Sequence, residues 1–243
     1  MNHLYAKLRM LLALICCTLF MVHCSAAHAV SEGYTVYHGD RESKQIAITI
    51  DDCYDRECVM AAIELCEKYD IHITFFPVGN ALKFADGPMW QRALDAGCEI
   101  GNHSWGHKDL TTLSARLVRF QMLRTQQKVD EMLGYHYPMQ VMRPPYGNIN
   151  KAAADAIESV GYLHIVQWDV SQTDAKKAIK DVENGSILLY HARKKDIRCL
   201  DSIIPQLIEQ GYECVTVSEL LGLEAVSCSD DIYYYESKDA KRE

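Results

Sequence analysis

The chain has 243 residues, 49% hydrophobic and 24% charged, a globular composition that excludes a disordered or fibrous protein. A formal net charge of −8 supplies no basic surface for a nucleic-acid partner. One folded domain is the expectation for this length.

Residues 1–29 read as a signal peptide. Lys7 and Arg9 precede an apolar run from Met10 to Val22, which is shorter than the about 20 residues of a bilayer span. Ala27-His28-Ala29 then fits a small-x-small cleavage pattern. Cys24 leaves a lipoprotein form open, although Met21-Val22-His23 lacks the small residues expected before a lipid-modified cysteine. Cleavage after Ala29 removes two basic residues from 25, leaving 23 against 33 acidic ones. The expectation is an exported monomer, extracellular or in the cell envelope, with its domain at 30–223 and no stable membrane insertion after cleavage. Residues 224–243 read as an acidic surface tail. Cys53, Cys58, Cys66, Cys98, Cys199, Cys214 and Cys228 remain, an odd set without CxxC, so no structural zinc site is indicated.

The mature chain alternates short apolar runs with helical-period runs. Strands are predicted at Gln45–Ile50, Ile71–Val78, Glu99–Asn102, Val141-Met142, His164–Trp168, Ser186–Tyr190 and Glu213–Val217. Helices are predicted at Arg56–Tyr69, Pro88–Ala96, Ser114 to about Leu133, Asn150–Val160, Ala175–Glu183 and Leu200–Gln210, with a short one from Ser218 to about Leu223. About seven βα units in succession argue for an α/β fold with a parallel sheet under helices, most simply a barrel.

In such a fold the loops after the strands form the active site. Asp51-Asp52 closes the first strand, and two adjacent carboxylates there suggest a cation or a divided role, a helix N-cap being the bland alternative. His103 and His107 follow the third strand, and their i, i+4 spacing places two imidazoles on one face of a helical turn. Two imidazoles and one carboxylate leave a coordination position open, as a catalytic metal requires. Arg143 opens the rigid turn Arg143-Pro144-Pro145-Tyr146-Gly147, and His191 ends the strand SILLYH. Both stand at strand ends.

TIDDCYD resembles the TFDDG motif, HSWGH the HS/TxxH motif, RPPYG the RPPYG motif and ILLYH the final histidine motif of the polysaccharide deacetylase family, the NodB-homology or carbohydrate esterase family 4 fold. TFFPVG is similar to its usual second strand. The resemblance spans about residues 44–220 and implies a distorted (β/α) barrel carrying a metal-dependent N-deacetylase that releases acetate from an amino-sugar polymer such as peptidoglycan or a chitin-like oligomer. It implies Asp52, His103 and His107 as ligands of one divalent ion, zinc first, with cobalt, nickel or manganese as alternatives. It implies Asp51 as general base, Arg143 as its orienting residue, Tyr146 as a backbone oxyanion donor, His191 as general acid and Leu189 as a wall of the acetyl pocket. Trp105, between the metal histidines, is a candidate sugar platform or a packing residue.

The chain departs from the family at three positions. Cys53 stands where glycine is usual, placing a thiol near the metal, and in WDVSQTDA Ser171 and Ala175 replace the Asp and Trp of a DxxDW motif. Asp174 is then the first choice to hold His191, and Asp169 the reserve. A non-catalytic, metal-retaining carbohydrate-binding relative is the alternative function, disfavoured by the presence of Asp51 and His191.

Overall fold

The computed structural model describes residues 35–232. The signal-peptide boundary and the tyrosine run 233–235 lie outside the described residues. Among those described, no helix is long and apolar enough to cross a membrane.

The strands are β1 (Thr35–Val36), β2 (Gln45–Asp52), β3 (Ile73–Pro77), β4 (Glu99–Ile100), β5 (Val141–Met142), β6 (His164–Val166), β7 (Ile187–His191) and β8 (Glu213–Cys214). Interleaved helices are α1 (Arg56–Tyr69), α2 (Gly87–Asp95), α3 (Ala115–Leu133), α4 (Lys151–Glu158), α5 (Ala175–Asp181), α6 (Lys194–Glu209) and α7 (Val217–Leu220). One sheet runs β4-β3-β2-β7 with β8 also on β2, and a second runs β1-β6-β5, every ladder being parallel. Single-residue parallel bridges, Asn102 with Met142 and Val170 with Leu188, join the two sheets at both seams. The result is the distorted barrel that the βα alternation predicts, with β1 as an addition that two residues of sequence did not signal.

The side-chain period of two explains which residues face inward. Ile46, Ile48 and Ile50 of β2 pack outward into the main core beneath the helices, each fully buried and contributing roughly 1.5–3 kcal/mol. Ala47 points into a smaller cluster with Phe76, Val141, Val166 and Ile187 in the interior. On β7 the same alternation sends Leu188 and Tyr190 outward and Ile187 inward. The inward rows Ala47-Thr49-Asp51 and Ile187-Leu189-His191 therefore change from apolar to ionisable as the strands approach the C-terminal rim.

Caps fix the helices that follow. Asp55 accepts from the Glu57 and Cys58 N–H groups to start α1, and Asn150 accepts from the Ala153 N–H to start α4. Gly134, at φ 83°, ends α3 in the left-handed conformation that glycine adopts without a Cβ penalty. Residues 224–231 are exposed, and Ser229 pairs with His136 through bonds of 2.8 and 3.1 Å.

Candidate active site

An open cleft of about 170 Å³ at the C-terminal rim is lined by Asp51, Asp52, His103, His107, Tyr146, Leu189 and His191, together with Pro144, Gly147, Trp168 and Arg193. Successive strand residues ordinarily face opposite ways, yet Asp51 and Asp52 both reach this cleft. Asp52 does so because its φ is 68°, which breaks the alternation at the last residue of β2. Cys53 follows at φ 58°, so two consecutive non-glycine residues are left-handed.

His103 and His107 come together in a loop, not on a helical turn as the spacing predicted. Ser104 and His107 have φ of 64° and 51°. Buried polar groups hold this path: Asn102 Oδ1 accepts the Ser104 N–H at 2.9 Å, Ser104 Oγ accepts the His107 N–H at 3.1 Å and Gln121 Oε1 accepts the Gly106 N–H at 2.8 Å. Trp105 turns away from the cleft, its indole lying against Gly79 and beneath the Arg124 guanidinium at 5.0 Å. It is the packing residue of the two alternatives, because the loop that brings the histidines inward sends the side chain between them outward.

Asp52, His103 and His107 offer three ligand atoms within 4.8 Å of one another. Asp52 Oδ1 is 3.2 Å from His107 Nε2 and 3.6 Å from His103 Nε2. His103 Nδ1 lies 2.8 Å from the Arg143 carbonyl, to which only an N–H can donate, so Nε2 carries the lone pair facing the carboxylate. Asp52 Oδ1 is buried and has no hydrogen-bond partner among the described residues. An orphaned carboxylate oxygen converging with ring nitrogens fits a cation. Burial pushes the Asp52 carboxyl up, but the imidazoles of His103, His107 and His191 together hold it below its ordinary value. Burial, helped by His103, pushes His107 down against the pull of Asp52 and Asp51, favouring the neutral ring that ligates.

Arg143 is fully buried inside the barrel, between the rings of Phe76 and Trp168 at 4.5 and 5.7 Å. Its guanidinium donates to Asp51 Oδ1 at 2.8 Å, Thr49 Oγ1 at 2.6 Å and the carbonyls of Gln167 and Val166 at 3.0 and 3.3 Å. Every branch of the fork is occupied, which offsets the desolvation of the charge. Burial lowers the Arg143 pKa, and the Asp51 carboxylate opposes that shift. Asp51 stands directly across the ladder from His191. Tyr146 adopts φ 62°, rests its ring on His107 at 4.7 Å and donates its hydroxyl to the His107 carbonyl at 3.3 Å.

Three sequence expectations need correction. Asp174 does not hold His191: it is exposed, and its carboxylate caps α5 by accepting the Lys177 N–H at 3.0 Å. The reserve, Asp169, is taken by Arg41 at 2.8 Å, Ser186 Oγ at 3.0 Å and the Ile187 N–H at 2.8 Å. The carboxylate beside His191 is Asp196, whose Oδ2 accepts the His191 backbone N–H at 3.1 Å and lies 3.9 Å from its Nδ1. Cys53 does not reach the metal ligands either. Its buried Sγ turns back towards the Ile50 carbonyl at 3.6 Å, and burial with the charges of Asp51 and Asp52 pushes its pKa well up. Trp168 was read only as a strand end, yet the strand stops at Val166 and the indole lines the cleft beside Gly147.

A cluster of one carboxylate and two imidazoles that could hold a metal ion, at the strand ends of an α/β barrel, with a second carboxylate and a third histidine paired across the β2–β7 ladder beside it, makes this cleft the candidate hydrolytic site. Residues 38–165 match the sequence profile of the Polysaccharide deacetylase family, and the chain belongs to that family. It is 35% identical over 192 residues, 75% of this chain, to the peptidoglycan-N-acetylglucosamine deacetylase PgdA of Listeria monocytogenes, and spans 40% of the length of that relative. The structure of the peptidoglycan deacetylase PdaC from Bacillus subtilis superposes with a TM-score of 0.65 at 31% identity, covering 74% of this chain and 91% of that one. A variant of the Bacillus anthracis CE4 family pseudoenzyme BA3943 with restored enzymatic activity superposes with a TM-score of 0.71 at 26% identity, covering 79% and 72%.

Proposed function

We propose that this chain is a metal-dependent N-deacetylase that acts outside the membrane on an amino-sugar polymer, peptidoglycan first, and releases acetate. The observation that carries the reading is the placement of Asp51 and His191 opposite each other on β2 and β7, with Asp51 anchored by buried Arg143 beside the convergent Asp52, His103 and His107. Asp52, His103 and His107 would hold the ion, zinc being the best fit to two imidazoles and a carboxylate. When bound, the ion supplies a Lewis acid for the acetyl carbonyl and lowers the pKa of the attacking water.

The protein groups do the rest. Asp51 accepts the proton of the attacking water, and the Arg143 fork fixes its other oxygen so that the free one faces the cleft. The Tyr146 backbone N–H faces the developing oxyanion, where a preorganised donor is typically worth about 3–4 kcal/mol. His191 gives a proton to the departing amine, so that the C–N bond breaks to a neutral glucosamine nitrogen. Leu189 and Trp168 enclose the acetyl methyl and keep water from it.

Acetate release by the metal-loaded mature chain, measured on peptidoglycan, chitooligosaccharide and acetylxylan, tests this reading. Release from an N-acetylated substrate that vanishes in Asp51→Asn supports it. No release from any of the three leaves the non-catalytic reading in its place.

A further inference from the structure

His191 can act as an acid only if something fixes which of its nitrogens carries the proton and holds the ring towards the cleft. The segment that resembles the family's aspartate motif supplies nothing for this, since Asp169 is saturated by Arg41, Ser186 and Ile187, and Asp174 is exposed on a helix cap. Asp196 comes from a different element, the first turn of α6, five residues beyond His191. It is 1% exposed, and its only ionic neighbour among the described residues is the His191 ring.

Its two oxygens are unequal. Oδ2 accepts the His191 main-chain N–H at 3.1 Å, which ties the carboxylate to the end of β7, while Oδ1 is buried and has no hydrogen-bond partner among the described residues. A buried carboxylate oxygen without a donor is costly to keep; the ring nitrogen beside this carboxylate is His191 Nδ1, 3.9 Å from Oδ2, and the Tyr190 hydroxyl and the Cys199 thiol are the neutral groups near it. Catalytic hydrogen bonds are often long before substrate binds and tighten in the working complex. The other charged groups facing His191 are Asp51, Asp52 and Arg193, and none of them makes an ion pair with its ring.

We propose that Asp196 is the positioning residue of the general acid: it takes the Nδ1–H of His191, directs Nε2 into the cleft and balances the imidazolium. This rests on the deacetylase reading for its consequence, but the pairing itself does not. A helix that starts immediately after the histidine strand thus does the work that the altered DxxDW segment cannot.

The test uses the full mature chain, ¹⁵N-labelled at histidine, with the His191 ring signals identified by their loss in His191→Gln. In the unsubstituted protein, Nδ1 should be the protonated nitrogen, with a downfield proton of a carboxylate hydrogen bond. Asp196→Asn should keep the melting temperature and metal content, shift that proton upfield and lower kcat at least 10-fold with little change in KM, whereas Asp174→Asn should change none of these. Wild-type ring signals or wild-type kcat in Asp196→Asn would overturn the proposal. If Asp196→Asn does not fold, absence of the downfield Nδ1 proton in the unsubstituted chain overturns it equally. A chain that releases no acetate but shows the Asp196-dependent proton refutes the deacetylase reading and leaves the pairing standing.

Discussion

The backbone carbonyl of Arg143 accepts the Nδ1–H of His103 at 2.8 Å, while the guanidinium of the same residue holds Asp51 at 2.8 Å. One residue therefore orients a metal ligand through its main chain and the base through its side chain. Arg143→Lys separates the two. A lysine cannot serve Thr49, Asp51 and two carbonyls together, so stability should fall by up to the about 3–5 kcal/mol typical of a broken buried ion pair, and turnover should fall with it. Metal content should stay at the wild-type value, because the acceptor of His103 is main chain. Urea unfolding, metal analysis and acetate release check the three parts separately.

The metal-site reading rests on Asp52 Oδ1, buried without a hydrogen-bond partner among the described residues and converging with His103 and His107. The purified mature chain should carry about one equivalent of divalent metal, as expected of a single site. The His103→Ala, His107→Ala double variant should carry none, and full metal content in it would remove the assignment. Asp51→Asn should keep the metal and lose at least the ~10²-fold typical of an absent general base.

The left-handed backbone at Cys53 predicts an unusual order of tolerance. That conformation costs an ordinary residue about 1–2 kcal/mol and glycine almost nothing. Cys53→Gly should therefore keep metal and turnover, with a melting temperature close to wild type as the relieved strain offsets the lost buried thiol. Cys53→Val, β-branched at φ 58°, should be the destabilised variant. A glycine variant that melts lower than the valine variant would contradict this.

Mild acid should weaken the metal-free fold through its half-buried histidines. Burial holds the His164 imidazole below its ordinary value, and burial with Arg193 does so at His191 against Asp51, Asp52 and Asp196. The unfolded chain then binds more protons than the folded one as the pH falls below about 6.5, so stability is full above that pH and is lost on the way down. The urea midpoint should be lower at about pH 5.5 than at about pH 7.5, by no more than ~1.4 kcal/mol per group per pH unit. His164→Gln should remove part of the slope, and a midpoint that rises on acidification would refute the account.

The strand ends were legible because period-two alternation at β2 and β7 runs straight into Asp51 and His191, and the histidine pair declares itself by chemistry even in a loop. Asp196 was hidden by the start of its helix. The apolar period suggested Leu200, whereas α6 begins at Lys194 with a turn of charged residues. Asp174 misled for the converse reason: an aspartate one residue before a helix satisfies the helix first. Trp105 and Trp168 exchanged expectations because backbone path, not residue type, decides which face of a loop an indole takes. Positive φ at Asp52, Ser104 and Tyr146 is a tertiary outcome that no local propensity announces.

The Arg143 guanidinium is enclosed on every side, and its bonds to Thr49 and Asp51 join residues 94 and 92 positions apart in the chain. No fragment that ends before β7 can set His191 opposite Asp51, so a growing chain lacks the paired carboxylate and imidazole. The pairing of Asp51 with His191 therefore exists only once β7 has docked on β2, near the end of the chain's path through the barrel.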